Sequence, residues 1–141
     1  MRVTIHIDGG ARGNPGPAGA GVVIRSSDDG TVLHEAGVFL GRATNNVAEY
    51  SALLAALEAA GKLGADEAEV FSDSELMVRQ MTGQYRVKEP TLKRLHERAG
   101  RLAGKLKSFT IGHIPRDQNG QADRLVNQAI TARRNVEDAA G

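Results

Sequence analysis

The hydrophobic pattern changes period after residue 40, and this change constrains the fold more than any other feature of the chain. Residues 2–8, 18–25 and 31–40 carry patterns typical of β-strands. The sequence DDG at 28–30 is typical of a hairpin turn between two of them. Because short connections join these segments, we expect an antiparallel three-stranded meander.

Beyond residue 40 the pattern alternates between helical and extended segments. Asn46 and Glu49 suit a helix N-cap and its capping-box partner, and leucines follow at helical spacing. The predicted segments are a helix after Asn46, a strand at 67–73, a short helix ending at Gly83, a longer helix after Pro90, a strand at 108–114 and a helix around 122–130.

The predicted order βββαβααβα indicates an α/β fold, a mixed five-stranded sheet with helices on both faces. A right-handed helical crossover would place the fourth strand parallel to the first. Asp8 and Asp73 then lie at the carboxyl ends of two parallel strands, where open α/β sheets usually carry their sites. We expect one domain over 1–132 and a flexible C-terminal tail over 133–141.

Length, composition and charge exclude several classes of protein. A chain of 141 residues suits one domain, and the lack of cysteine excludes disulfides and cysteine-ligated zinc. The N-terminal segment is too polar for a signal peptide, and no apolar run has the length of a membrane span. We therefore expect a cytoplasmic monomer that binds neither membrane nor small-molecule cofactor.

Four carboxylates are candidates for a shared site: Asp8, Glu49, Asp73 and Asp123. Each has a purely structural alternative, as a turn residue, a capping-box partner, an N-cap or a helix N-terminal acid. The predicted topology nevertheless brings them together, and four such groups repel one another unless cations lie among them. Oxygen ligands favour Mg²⁺ or Mn²⁺, which hydrolyse phosphodiesters as pairs roughly 3.5–4 Å apart.

Nucleotide-binding motifs do not match the glycine-rich segment GGARGNPGP at 9–17. It lacks the Gly-Lys-Ser/Thr of a phosphate-binding loop, and it also lacks the G-x-G-x-x-G spacing. His96 and Glu97 lack the second histidine of a metalloprotease helix. The acids are therefore the chemical feature that remains.

Four segments, in the same order as in the family, resemble the signature blocks of type 1 ribonuclease H. They span residues 7–130 and read IDGGARGNPGPAGAGVVI, RATNNVAEYSALLAAL, VFSDSELMVRQM and IPRDQNGQADRLVNQA. The resemblance implies an endonuclease that hydrolyses the RNA strand of RNA/DNA hybrids by two-metal-ion catalysis. Its products would carry 5′-phosphate and 3′-hydroxyl ends.

The same resemblance implies a role for each carboxylate. Asp8 would bridge two ions in the presence of substrate. Asp123 would help to hold the ion that activates water, and Glu49 and Asp73 would hold the ion facing the leaving 3′ oxygen.

Substrate-binding roles follow from the resemblance as well. Asn14, Asn45 and Asn46 match positions that meet the minor groove, where the 2′-hydroxyl marks RNA. Arg42 and Thr44 match a pocket for a phosphate of the DNA strand. The structural alternatives are a turn residue for Asn14, a helix cap for Asn46 and an ordinary surface arginine for Arg42.

His113 departs from the family pattern. Many bacterial members carry a histidine in a mobile loop at this distance before the last aspartate, and it is thought to assist proton transfer or product release. Here the sequence GHIPRDQN places His113 inside or at the end of a strand. His113 is therefore either a catalytic histidine or a partly buried strand residue, and Arg116 is an alternative occupant of the same loop.

A second departure lies at Gly83–Pro90, where many members insert a basic protrusion with tryptophans that grips the DNA strand. This chain has only GQYRVKEP there. Arg86 and Lys88 begin a stretch that ends at Lys107 and holds eight basic residues against two acids. The stretch is either a solvated helix face or a partial substitute for the protrusion, with hybrid binding that is weaker and more sensitive to salt.

Two other classes of function use the same fold. A non-catalytic module that binds hybrid or duplex RNA is one, and we would expect it to lack an acid, whereas all four are present. A resolvase or a 3′–5′ exonuclease is the other, and such enzymes lack the Arg42, Thr44, Asn45 and Asn46 cluster.

Overall fold

The computed structural model describes residues 1–137, which form six strands, four α-helices and one 3-10 turn. Among helices in that range, none is long and apolar enough to cross a lipid bilayer. The elements are β1 (Arg2–Ala11), β2 (Gly16–Ser26), β3 (Val32–Ala43), α1 (Asn45–Lys62), β4 (Glu67–Ser72), α2 (Glu75–Met81), α3 (Pro90–Gly104), β5 (Ser108–His113), the 3-10 turn (Arg116–Gln118), α4 (Gly120–Ala132) and β6 (Val136–Glu137).

The strands form one mixed sheet in the order β5-β4-β1-β2-β3-β6. β1, β2 and β3 pair as the predicted antiparallel meander, and β4 pairs parallel with β1 and β5. The register aligns Ile7 of β1 with Ser72 of β4. The next residues along these strands, Asp8 and Asp73, therefore emerge side by side at the carboxyl edge, as predicted.

The sheet has six strands rather than the predicted five, because the chain after α4 returns to the sheet. Arg133 ends α4 in the left-handed conformation, at a φ of 54°. The Asn135 Oδ1 then accepts a hydrogen bond of 2.9 Å from the Phe39 N–H, and Val136 and Glu137 pair with β3. The tail expected from residue 133 thus begins with ordered structure, and residues 138–141 lie outside the described part of the chain.

One face of the sheet carries the main hydrophobic core. The apolar residues of β1 and β2 alternate toward this face, as their sequence pattern requires. Ile5, Ile7 and Val22 pack there with Leu53 and Leu57 of α1, and all five are buried. Helix α3 adds Leu92 and Ala99 to the same cluster.

Helix α4 packs on the opposite face, so helices cover both faces as predicted. Glycines of the sheet allow its backbone to approach very closely. A Cβ atom at Gly21 would lie 2.2 Å from the Ala122 carbonyl oxygen, and one at Gly37 would lie 2.4 Å from the Leu125 oxygen. Because the next residue after Ala122 is Asp123, this contact brings the fourth predicted carboxylate down to the sheet.

Helix α1 begins earlier than predicted. Thr44, not Asn46, is the N-cap, and its Oγ1 accepts a 3.2 Å hydrogen bond from the Val47 N–H. The reason is that β3 continues to Ala43, so the chain turns directly from strand into helix. Glu49 consequently lies beyond the capping positions, and its carboxylate is available for another role.

Candidate active site

Three of the predicted carboxylates meet at the carboxyl edge of the parallel strands. One oxygen from each of Asp8, Glu49 and Asp73 lies within 4.8 Å of the others. Asp8 lies in β1, Glu49 lies in the first turns of α1, and Asp73 directly follows β4. Since three separate elements supply them, local sequence alone does not account for their convergence.

Gly9 positions Glu49 against Asp8. A Cβ atom at Gly9 would lie 2.3 Å from the carbonyl carbon and oxygen of Ala48 and 2.5 Å from the Glu49 nitrogen. Only glycine permits this approach of the β1 backbone to α1. The glycine after Asp8 is therefore not a turn residue, because β1 continues through it to Ala11. Its role is to let α1 and Glu49 approach Asp8.

Asp73 does not cap α2. Ser74 is the N-cap, and its Oγ accepts a 3.2 Å hydrogen bond from the Met77 N–H. The Asp73 Oδ2 and the Glu49 Oε2 are both buried without a hydrogen-bond partner. Buried carboxylate oxygens normally have partners, so two orphaned oxygens in one cluster indicate that something else binds there.

Asp123 completes the set from the first turn of α4. It borders the same cleft, whose cavity volume is about 420 Å³. Its charge, together with that of Asp73, acts on Asp8. The other residues that line the cleft are Gly9, Gly10, Ala11, Arg12, Asn45, Arg116, Val126, Asn127 and Ile130.

The cluster is electrostatically strained in the absence of a cation. Burial, followed by the charges of Asp73 and Asp123, raises the pKa of Asp8 to about 8. Burial, followed by the charges of Asp8 and Asp73, raises the pKa of Glu49 to about 9, although the Gly9 N–H and Arg116 oppose the shift. A divalent cation would reverse both shifts, because it favours the ionised carboxylates.

The donor set suits a hard divalent cation. All the converging ligands are carboxylate oxygens, which Mg²⁺ and Mn²⁺ prefer, and no cysteine exists in the chain. Asp8, Glu49 and Asp73 are the residues that would hold such an ion, and Asp123 lines the same cleft.

The predicted asparagines lie next to this cleft and are linked to one another. The Asn14 Oδ1 accepts a 3.0 Å hydrogen bond from the Asn45 N–H, and the Asn45 Oδ1 accepts one of 2.9 Å from the Ala11 N–H. Asn45 lines the carboxylate cleft itself. Asn14 lines an adjacent depression together with Thr44 and Asn46.

Arg42 borders a depression with Pro17, Phe39 and Arg133, whereas Thr44, with which it was grouped, lines the depression of Asn14 and Asn46. A bulge near the end of β3 interrupts its alternation just before Gly41. Gly41 adopts a φ of 71° there, which redirects the following residues.

His113 is the last residue of β5 and is exposed. The alternative of a partly buried strand histidine is therefore wrong. His113 pairs in register with Ser72, one residue before Asp73, yet it does not border the carboxylate cleft. Arg116, in the following 3-10 turn, does border it.

Arg12 is a cleft residue that the sequence did not reveal. Its guanidinium donates hydrogen bonds of 2.8 Å to Thr131 Oγ1 and 3.3 Å to the Asn127 carbonyl oxygen. The arginine sits in a glycine-rich loop and is exposed. The tertiary contact with α4 places it, and no sequence pattern encodes that contact.

Arg86 and Lys88 lie in the segment between α2 and α3, outside the carboxylate cleft. Both are exposed, and so is the neighbouring Tyr85, whose ring lies 5.4 Å from the Arg79 guanidinium carbon. This segment is short, so the chain has no protruding structure between the two helices. The positive charges of Arg86 and Lys88 are free to meet a polyanion.

The fold and the site together define an α/β domain that gathers acidic side chains at the carboxyl ends of parallel strands. The sequence profile of the family described as reverse transcriptase-like matches residues 6–129. Solved relatives share the fold over nearly the whole chain. The chain belongs to the ribonuclease H family and resembles its type 1 members.

Three relatives show how close the match is. A bifunctional protein of Mycobacterium tuberculosis is 51% identical over 132 residues, which is 94% of this chain and 36% of that protein. Ribonuclease H1 of Halobacterium salinarum has a TM-score of 0.90 and 45% identity, covering 94% of this chain and 99% of that one. The compost-derived LC11-RNase H1, solved with an RNA/DNA hybrid, has a TM-score of 0.88 and 48% identity, covering 93% and 98%.

This chain spans only about a third of the length of its curated mycobacterial relatives, since it covers 36% of each. The likeness to these proteins therefore concerns one domain of them.

Proposed function

We propose that this protein is an endonuclease that hydrolyses the RNA strand of RNA/DNA hybrids with two divalent cations, Mg²⁺ or Mn²⁺, at its carboxylate cluster. One observation carries the proposal: three carboxylates converge within 4.8 Å, and two of their buried oxygens have no partner. Membership of the ribonuclease H family and the likeness to a relative solved with a hybrid support the choice of substrate.

The placement of the acids suggests which carboxylates would hold each cation. Bound divalent cations would activate a water molecule and stabilise the leaving oxygen, giving 5′-phosphate and 3′-hydroxyl ends. Asp8 belongs to the cluster with Glu49 and Asp73 and also interacts with Asp123, so it is the residue suited to serve both positions. Burial of Asp8 excludes water from one side of the cluster and strengthens its electrostatic interactions.

The asparagine-rich rim is proposed to recognise the hybrid. The Asn14 and Asn45 carboxamides already bond backbone N–H groups through their oxygens, so their amide N–H₂ groups remain as donors. Asn46 and Thr44 extend the polar rim away from the acids. Such donors bond sugar and base-edge acceptors of the minor groove without demanding a base sequence, and the 2′-hydroxyl distinguishes RNA.

Two regions of positive charge are proposed to contact the DNA strand. Arg42 is exposed at the end of β3, and Arg86 and Lys88 are exposed beyond α2. Because the segment carrying Arg86 and Lys88 is short, we expect fewer phosphate contacts than a basic protrusion would make. Affinity for the hybrid should therefore be modest, and its dependence on salt should scale with the number of phosphates contacted.

His113 and Arg116 are the two candidates for proton transfer or product release. His113 ends the strand beside the Asp73 segment, and Arg116 borders the cleft. Comparing His113→Ala with Arg116→Ala in single-turnover and steady-state cleavage separates the roles. A loss confined to multiple turnover indicates product release, and a loss in both indicates a part in the chemical step.

We further propose that the domain acts as a cytoplasmic monomer and needs no small-molecule cofactor. Sedimentation equilibrium tests the first point. Cleavage by purified protein supplied with the divalent cation alone tests the requirement for a cofactor, and cell fractionation tests the location.

A substrate panel tests the proposed function. Labelled RNA/DNA hybrid, duplex RNA, duplex DNA and both single strands are incubated with the protein in Mg²⁺ or Mn²⁺, with EDTA controls. We expect cleavage of the RNA strand of the hybrid alone. Binding of hybrid without cleavage would favour the non-catalytic module, and cleavage of duplex DNA or trimming from 3′ ends would favour a different nuclease.

A further inference from the structure

Asn119 is a buried polar residue at the junction of the two segments that carry Asp8 and Asp123. Its exposed fraction is 1%, the smallest among the four buried polar or charged residues except that of Ser72. The Nδ2 of its side chain donates a 2.8 Å hydrogen bond to the Ile7 carbonyl oxygen, directly before Asp8. Ile7 pairs with the last residue of β4, so its carbonyl lies where the parallel ladder ends.

The backbone of Asn119 reaches the other carboxylate. Its carbonyl oxygen accepts a 3.1 Å hydrogen bond from the Asp123 N–H, and Asn119 is the residue that precedes α4. Its own N–H donates to the Arg116 carbonyl oxygen at 3.0 Å. One residue therefore connects β1 at Ile7, the start of α4 and the turn that carries Arg116.

The orientation of the Asn119 carboxamide is fixed by its partner. Exchanging its oxygen and nitrogen would direct an acceptor at the Ile7 carbonyl oxygen, which is unfavourable. In the orientation present, the Oδ1 is buried and has no hydrogen-bond partner. An unpaired buried acceptor costs about 1–3 kcal/mol, so stability alone does not favour an asparagine at this position.

We propose that Asn119 is a positioning residue that sets the separation of Asp8 and Asp123, and thereby the affinity of this pair of carboxylates for a divalent cation. The Gly21 contact sets how closely α4 approaches β2. The Asn119 side chain adds a link to β1, because it attaches the helix start to the residue preceding Asp8. This inference rests on the proposed function.

The test uses Asn119→Ala, with Val3→Ala as the matched control. Val3 is fully buried at the other end of β1, so its truncation lowers stability without touching the cleft. Urea unfolding of wild type and both variants is measured in EDTA and in a Mn²⁺ series. Hybrid cleavage is measured on the same samples to obtain kcat and KM.

For Asn119→Ala we expect at least tenfold weaker Mn²⁺ binding. At saturating Mn²⁺, this reduces the metal-induced gain in unfolding free energy by about 1.4 kcal/mol. We also expect kcat to fall about tenfold or more, with KM within about twofold of wild type, because the substrate rim is untouched. Val3→Ala should lose stability in EDTA but keep the full Mn²⁺ gain.

An unchanged Mn²⁺ gain and an unchanged kcat in Asn119→Ala would overturn the inference, even if the variant were less stable in EDTA. If Asn119→Ala fails to fold, Asn119→Gln, which keeps the amide but displaces it by a methylene, is examined for the same loss. If wild type itself neither binds Mn²⁺ nor cleaves hybrid, the proposed function fails, and this inference falls with it. A responsive wild type with an unaffected variant overturns this inference alone.

Discussion

Replacing Asp8 by asparagine is expected to stabilise the protein in the absence of divalent cations. Asp8 is 6% exposed and faces Asp73 and Asp123. Burial, together with these charges, raises its pKa from 3.8 to about 8. The folded protein therefore retains a proton that the unfolded chain releases over this range of pH, and retaining it opposes folding as the pH rises.

The magnitude follows from the two pKa values. At pH 7 the unfolded carboxyl is ionised and the folded one is mostly protonated, a difference of about 4 kcal/mol at 1.36 kcal/mol per pKa unit. Because water in the open cleft screens part of the repulsion, we expect Asp8→Asn to gain about 2–4 kcal/mol at pH 7. The gain should be smallest near pH 4 and largest above pH 8, where the wild-type carboxylate is fully ionised.

Urea unfolding in EDTA at several pH values between 4 and 9 measures this gain. Asp28→Asn is the control, since Asp28 is an exposed acid in the turn after β2, and we expect it to change stability by less than about 0.5 kcal/mol. Saturating Mn²⁺ should stabilise wild type and should do so much less for Asp8→Asn. A gain that does not grow with pH, or a loss of stability in EDTA, would refute the electrostatic reasoning.

Three further predictions concern the scaffold and the substrate surface. Gly21→Ala should lower the free energy of unfolding by about 1–3 kcal/mol or displace α4, because its Cβ would lie 2.2 Å from a helix carbonyl oxygen. The control Gly100→Ala in α3 should raise the free energy of unfolding by up to about 1 kcal/mol. Urea unfolding measures both variants, and equal effects would contradict the packing argument. Thr44→Val should cost about 1 kcal/mol through loss of the α1 cap, and unchanged stability would contradict that assignment. The double change of Arg86 and Lys88 to alanine should reduce the slope of log affinity for hybrid against log salt by about 0.9 per lost phosphate contact, and an unchanged slope would remove these residues from the interface.

The meander, the parallel pairing of β4 with β1 and the convergence of Asp8 with Asp73 were predictable from the sequence, because a helical crossover after the meander makes these two strand ends neighbours. The place of Glu49 was predictable only in part. Its assignment to the site was consistent with the structure, but the capping box inferred for it was wrong, since β3 extends to Ala43 and Thr44 takes the cap.

Other features depend on tertiary contacts that leave no periodic signal. The two-residue strand β6 is too short to produce a pattern, and it forms because Arg133 reverses the chain and Asn135 bonds β3. The bulge that precedes Gly41 and Arg42 depends on strand pairing. Asn119 had no signal beyond being a polar residue before a helix, although it is buried beneath the site.

The most direct test of the central claim is cleavage of an RNA/DNA hybrid by Asp73→Asn. This variant keeps the size of the side chain and removes one of the three carboxylates that lie within 4.8 Å of one another. With folding verified by circular dichroism, we expect cleavage of the RNA strand to fall to the level of wild type in EDTA, while Asp28→Asn keeps wild-type activity. Wild-type cleavage by a rigorously purified Asp73→Asn would contradict the assignment of the carboxylate cluster as the active site.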